Sequence, residues 1–384
     1  MISKVLILCW FSSVILILSS CTILSKFNSD TNRKFVVNSF WVQDTLAQQN
    51  DYFRKVNRMT PIIYKNSIVV GNAYDGLVAF DLTSKNVKWR TPIPLGVEAS
   101  SAVINDRLFV GSNSGKMYSV NLTNGEIVWT FESKSELVAE PLLNEGILYF
   151  VSGSQSLYAL DASNGKQLWI HNRQDTTNTI TVRGGSKPSI SNGIIYAGFS
   201  DGALVAINAA TGSEQWEITL NRNTKFKDID ASPIIDGDYI YINSYDDKIY
   251  CLSKAKGEII WTSPYGGIST PLLVENNIYV TSSKGDLVAL TKKDGRLVWS
   301  KTTKRGIYIE PLLLDDMIVS GESQGKLNFF NKKTGENHGS FEPGRGVFSK
   351  PVAFNNSLYF ISCEGNVYGL NARFENKSSI YYLK

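Results

Sequence analysis

Apolar and polar residues alternate along most of this chain in short runs, and glycine, asparagine, aspartate or serine interrupts them every few positions. Alternation with period two sends successive side chains to opposite faces of an extended segment, whereas a helix would space its apolar residues at three and four. Runs such as Ile147-Leu148-Tyr149, Leu157-Tyr158-Ala159 and Gln167-Leu168-Trp169 predict short strands joined by tight turns. The chain is therefore predicted to be all-β.

The strands recur in a fixed frame. Trp89, Trp129, Trp169, Trp216, Trp261 and Trp299 each lie 28 residues after a position that is usually proline. That position holds Pro61, Ser101, Pro141, Pro188, Pro233, Pro271, Pro311 and Pro351, eight copies separated by 40, 40, 47, 45, 38, 40 and 40 residues. The interval from proline position to tryptophan does not vary, so every length change falls in the connection to the next copy. Rigid units alternate with variable loops.

Within each unit the turn chemistry repeats. Fourteen residues after the proline position stand Asp75, Gly115, Gln155, Gly202, Asp247, Gly285, Gly325 and Gly365, mostly residues that tolerate φ > 0 in a tight hairpin. A triplet with a small middle residue follows, as in Tyr118-Ser119-Val120 and Val288-Ala289-Leu290. Position 20 is a short polar residue in all eight copies, from Asp81 and Asn121 to Asn331 and Asn371, and position 24 is glycine in six. A side-chain oxygen capping its own turn, followed by a left-handed residue, makes a compact strand connection. Four antiparallel strands per repeat of about 40 residues match the blade of a β-propeller, and eight copies predict eight blades.

Closure of the ring is predicted to use the N-terminus. The eighth copy has Ser379 in the tryptophan slot and the seventh has Gly339, while Val37-Asn38-Ser39-Phe40-Trp41 reads as an outer strand with its tryptophan in place. Residues 36–43 are expected to complete blade eight, because an open strand edge invites aggregation.

Before the ring, Lys4 is followed by an apolar stretch from Val5 to Leu18, then Ser19, Ser20 and Cys21. That stretch is short for a membrane span and reads as an export signal. Leu18-Ser19-Ser20-Cys21 resembles the bacterial lipobox, which implies a mature chain beginning at Cys21 with acyl chains, palmitate among them, on its sulfur. By resemblance to enterobacterial lipoproteins, an aspartate in place of Thr22 would favour the inner membrane, so the resemblance implies the outer membrane, facing the periplasm. The expected organisation is a signal peptide over 1–20, a lipidated cysteine and polar tether over 21–35, and a single propeller domain over 36–384.

Charge adds mainly exclusions. A formal net charge of +4, with basic and acidic residues interspersed, offers no nucleic-acid footprint. Cys251 and Cys363 fall at non-equivalent repeat positions and read as buried free thiols; His171 and His338 lack the neighbours of a metal site. No nucleophile–base pair and no phosphate-cradling loop is legible, so neither enzyme nor cofactor is predicted.

The string Leu157-Tyr158-Ala159-Leu160-Asp161-Ala162-Ser163-Asn164-Gly165-Lys166-Gln167-Leu168-Trp169 resembles the repeat of quinoprotein-type propellers. One branch of these comprises dehydrogenases with pyrroloquinoline quinone and calcium on the ring axis; the other is the BamB family, lipoproteins of the outer-membrane β-barrel assembly (BAM) machinery. Lipobox, tether and eight compact blades resemble the second branch. Two loops sharpen the likeness. Ile180-Thr181-Val182-Arg183-Gly184 is similar to the element with which BamB contacts a POTRA domain of BamA, and Asp228-Ile229-Asp230 is similar to its neighbouring contact loop. The resemblance implies a non-enzymatic scaffold that binds a BamA-like protein through Ile180, Val182, Arg183, Asp228 and Asp230, alongside other BAM lipoproteins and nascent outer-membrane proteins. From the residues alone, the alternative is that Asp228 and Asp230 brace two loops by pairing with Arg183 or satisfy backbone donors. The alternative functions are a quinone-dependent oxidoreductase and a lipoprotein that binds another envelope component.

Overall fold

A computed structural model describes residues 33–47, 56–173, 185–223 and 226–376. It divides into a compact unit, Val37–Asn371, and a small one formed by the chain before residue 37 and after residue 371. In the small unit Phe35 meets Phe374 edge-on, with ring centroids 5.0 Å apart. Every regular element among the described residues is a strand, and the strands form eight four-stranded antiparallel sheets, an eight-bladed β-propeller.

Blade three shows how the repeat folds. Leu142–Asn144, Ile147–Val151, Ser156–Asp161 and Gln167–Asn172 pair in sequence order. The two middle strands are almost wholly buried because both faces pack on neighbouring blades, while the last strand is half exposed. Six of the eight residues at position 14 have positive φ, from 58° at Gln155 to 96° at Gly365; in blade one that role passes to Gly76, at 118°. At position 20, Asp161 Oδ1 accepts the amide of Ser163 at 2.8 Å, and Asn331 Oδ1 accepts those of Lys333 and Thr334 at 2.8 and 3.1 Å.

The tryptophans join blades. Trp89, Trp129, Trp169 and Trp299 each donate from Nε1 to the backbone oxygen of Leu122, Ala162, Ala209 and Lys332 in the following blade, at 3.0–3.2 Å. The hydroxyls of Tyr149 and Tyr279 donate to the same Ala209 and Lys332 oxygens, at 3.3 and 2.8 Å. One carbonyl thus takes two donors from the preceding blade.

Blade eight is ordered Arg33–Asp44, Asn366–Asn376, Ser357–Ile361, Val352–Phe354, so its outer strand comes from the N-terminus. Trp41 is buried there, edge-on to Phe80 of blade one at 5.8 Å and to Tyr359 at 6.4 Å. This strand begins at Arg33, within the stretch expected to be a tether.

Candidate functional site

Each blade's first strand is preceded by the connection that brings the chain from the outer edge back to the axis, and the last residues of these connections converge. Immediately before the proline positions stand Thr60, Ser100, Glu140, Lys187, then Ser232, Thr270, Glu310, Lys350. Hydroxyl, hydroxyl, acid, base is written twice around the ring. All eight residues line one axial cavity of about 190 Å³.

Neighbours in this tier satisfy one another. Lys350 Nζ lies 2.6 Å from Glu310 Oε1, and Lys187 pairs with Glu140. Ser100 Oγ donates to Thr60 Oγ1 at 3.1 Å and accepts the Thr60 amide at 3.1 Å; Thr270 Oγ1 accepts the Ser232 amide at 3.2 Å. The tier is electrically neutral, so its carboxylates are already committed to lysines.

Arg58, Glu98, Asp230 and Phe348 line the same cavity, two residues further from the prolines. The Arg58 guanidinium lies 5.1 Å from the centre of the Phe348 ring, and Glu98 Oε1 accepts from Asn113 Nδ2 at 3.0 Å. Asp230 keeps a little accessible surface toward the cavity but is hemmed in by protein. Desolvation first, and then the charge of Asp228, raise its carboxyl to about 8 against the pull of Arg58.

The paired aspartates are therefore interior. Asp228 is 1% exposed, and its backbone oxygen accepts the Tyr245 amide at 3.3 Å. Their two-residue spacing does bring the carboxylates within each other's field, yet between them Ile229 is buried, lying so close to Gly198 that a Cβ there would meet Ile229 Cγ2 at 2.5 Å. Ile180, Val182, Arg183 and Cys21 lie outside the described residues. The flanks of the first loop are firmly anchored. Arg173 donates to Asp201 Oδ2 at 2.6 and 2.8 Å and to both Glu217 oxygens at 2.9 and 3.0 Å, while lying 5.0 Å over the Phe199 ring. These hydrogen bonds hold Glu217 below the ordinary carboxylate range in spite of its partial burial. At the far flank Ser186 Oγ donates to the Ala231 oxygen at 2.9 Å, tying the first loop to the second.

Sequence reasoning passed over the axial tier, although the residue before each proline position carried it in plain view. A larger open groove of about 530 Å³ lies between blades three and four, with Glu145 as its one carboxylate. It has less chemistry to offer than the axis. The axis in turn does not suit a quinone with calcium: its volume is below the roughly 300–1,000 Å³ of pockets that bury organic ligands, and two of its four carboxylates, Glu140 and Glu310, are neutralised by lysines.

The repeat and the ring define an eight-bladed β-propeller of four-stranded blades. The sequence model of the family described as outer membrane protein assembly factor BamB matches residues 94–301 and 246–373, and the chain belongs to that family. Among solved structures it is similar to BamB from Moraxella catarrhalis, with TM-score 0.75 and 19% identity over 88% of this chain and 100% of that one. The computationally designed protein Ika8 is also similar, at TM-score 0.69 and 14% identity over 83% and 97%. So is the quinohemoprotein alcohol dehydrogenase of Comamonas testosteroni, at TM-score 0.70 and 13% identity over 87% and 76%. No curated protein matches by sequence.

Proposed function

We propose that this chain is a non-enzymatic scaffold of the outer-membrane β-barrel assembly machinery, held at the periplasmic face of the outer membrane by lipid on Cys21. In this reading the loops around Arg183 and around Asp228 and Asp230 dock a POTRA domain of a BamA-like protein, and other BAM lipoproteins join the assembly around nascent barrel proteins. The observation that carries it is membership of the BamB family over residues 94–373. It is supported further by the bond from Ser186 Oγ to the Ala231 oxygen, which sets the described end of the first loop beside the second. Within it, Ile180, Val182 and Arg183 supply direct contact, whereas the buried Asp228 and the half-buried Asp230 on the axial cavity hold the second loop in shape.

The test is gentle detergent extraction of the native membrane with identification of what co-purifies. Arg183→Glu is expected to lose the large barrel partner while leaving the melting temperature unchanged. A variant that still brings down that partner in full would defeat the docking site; a parent protein that brings down no barrel-assembly component would defeat the function.

A further inference from the structure

With Asp228 and Asp230 turned inward, the second loop must meet a partner through something else. Thirteen non-glycine residues among those described have positive φ, and only Leu95 and Phe226 of them are apolar. Most of the others are polar residues in hairpin turns, where a left-handed backbone is ordinary. Phe226 has φ 53° and is 42% exposed. A phenylalanine held left-handed in order to face water is doubly unfavourable, and such a conformation persists only where its surroundings impose it.

Those surroundings are specific. Asn221, itself buried, donates from Nδ2 to the Phe226 oxygen at 3.1 Å and accepts the Asn223 amide at 3.0 Å, so one side chain holds backbone groups of both residues. The Phe226 ring lies 5.9 Å from that of Tyr245, whose amide is bonded to the Asp228 oxygen. Aromatic rings backed by a second ring on a fixed backbone are the usual energetic centres of protein interfaces, because little side-chain freedom remains to be lost. Arg222 is exposed and Lys227 half-buried on either side, giving the tip a basic border.

Resting on the scaffold reading above, we infer that Phe226, supported by Tyr245, is an aromatic anchor with which this rim docks the periplasmic domain of its barrel-assembly partner. The matching surface is an apolar pocket edged by acidic side chains. The Asp228-Ile229-Asp230 segment then acts as the footing of this anchor, and its burial becomes a requirement of the contact.

Affinity of the detergent-solubilised full chain for the isolated periplasmic region of the partner tests this. Phe226→Ala should weaken binding at least tenfold. Phe226→Gly, which suits the left-handed backbone and keeps the loop, should do the same with no fall in melting temperature. Leu95→Ala, at an exposed left-handed apolar residue in the connection from blade one to blade two, should bind like the parent. Parent-like binding by Phe226→Gly while Arg183→Glu loses it would overturn the anchor and leave the scaffold reading standing; parent-like binding by both would remove both. Equal losses in Phe226→Gly and Leu95→Ala would also overturn it, as general stickiness. So would parent-like partner binding with loss of adhesion to phosphatidylglycerol vesicles, which would make the tip a membrane contact.

Discussion

At the scale of single residues, the glycine at position 24 does more than its turn asks. Gly125, Gly165, Gly212, Gly257, Gly295 and Gly335 all have φ between 67° and 78°, as a left-handed turn residue should. A Cβ on any of them would also fall 2.6–2.7 Å from the tryptophan ring of the preceding blade. The six glycines and six tryptophans are thus partners across the blade boundary. Both members are missing together between blades seven and eight, with Gly339 in the tryptophan slot and Glu375 in the glycine slot, whereas at the closing boundary Trp41 is kept and Lys85, at φ 66°, stands in the glycine slot. Gly146 separates the two demands, since its φ is 78° and no atom lies within 4 Å of its added Cβ. Gly146→Ala should cost only the left-handed strain, about 1–2 kcal/mol. Gly165→Ala should cost about 1–3 kcal/mol more from overpacking against Trp129. Chemical denaturation at matched m-values reads the difference, and equal losses would show that the turn alone matters.

At the scale of the blade, the small residue of the third strand lies directly across from the tryptophan of the fourth. Ala79, Ser119, Ala159, Ala206, Cys251 and Ala289 are the cross-strand partners of the six tryptophans, and the ladder bulges immediately after each. Cys251 occupies one of these slots, where burial pushes its thiol up to about 11, an inert packing residue. Blade seven inverts the pair: Phe329 faces Gly339. The sequence displayed both the small middle residue and the anomalous Gly339, but strand register was needed to show that they answer each other. Gly339→Trp alone should therefore overpack and lose about 1–3 kcal/mol, and Phe329→Ala alone should lose about 3–5 kcal/mol to a cavity. The double variant should be more stable than the sum of those losses implies, by a coupling of about 0.5–3 kcal/mol. Strictly additive denaturation energies would refute the pairing.

At the scale of the whole ring, eight connections far apart in sequence meet on one axis, and there the environment of Asp230 is made. Its carboxyl is raised to about 8 by desolvation and by Asp228. The unfolded chain releases this proton near its ordinary value of 3.8, whereas the folded chain keeps it until about pH 8. The contribution of Asp230 to stability is therefore fullest below pH 4, falls as pH rises through that window, and is level above it. Asp230→Asn should flatten the slope of unfolding free energy between pH 4 and 8 and be more stable than the parent at pH 8, as urea denaturation across that range would read. An unchanged slope would mean that Asp230 is well solvated or already paired.

Local chemistry by itself determined the strands, the turns, the count of eight and the closing strand at Trp41, because each depends on residues within one repeat frame or on which slot is empty. The family, too, was legible in the string around Asp161 and Trp169. Register and ring closure decided the rest. That glycine packs under tryptophan, that Phe329 compensates Gly339, and that Glu140 pairs with Lys187 as Glu310 does with Lys350 are all contacts between repeats, which no single repeat contains. The same holds for the second loop. Spacing placed Asp228 and Asp230 on one side of an extended segment, but only the closed ring turns that side toward the axis and leaves Phe226 exposed.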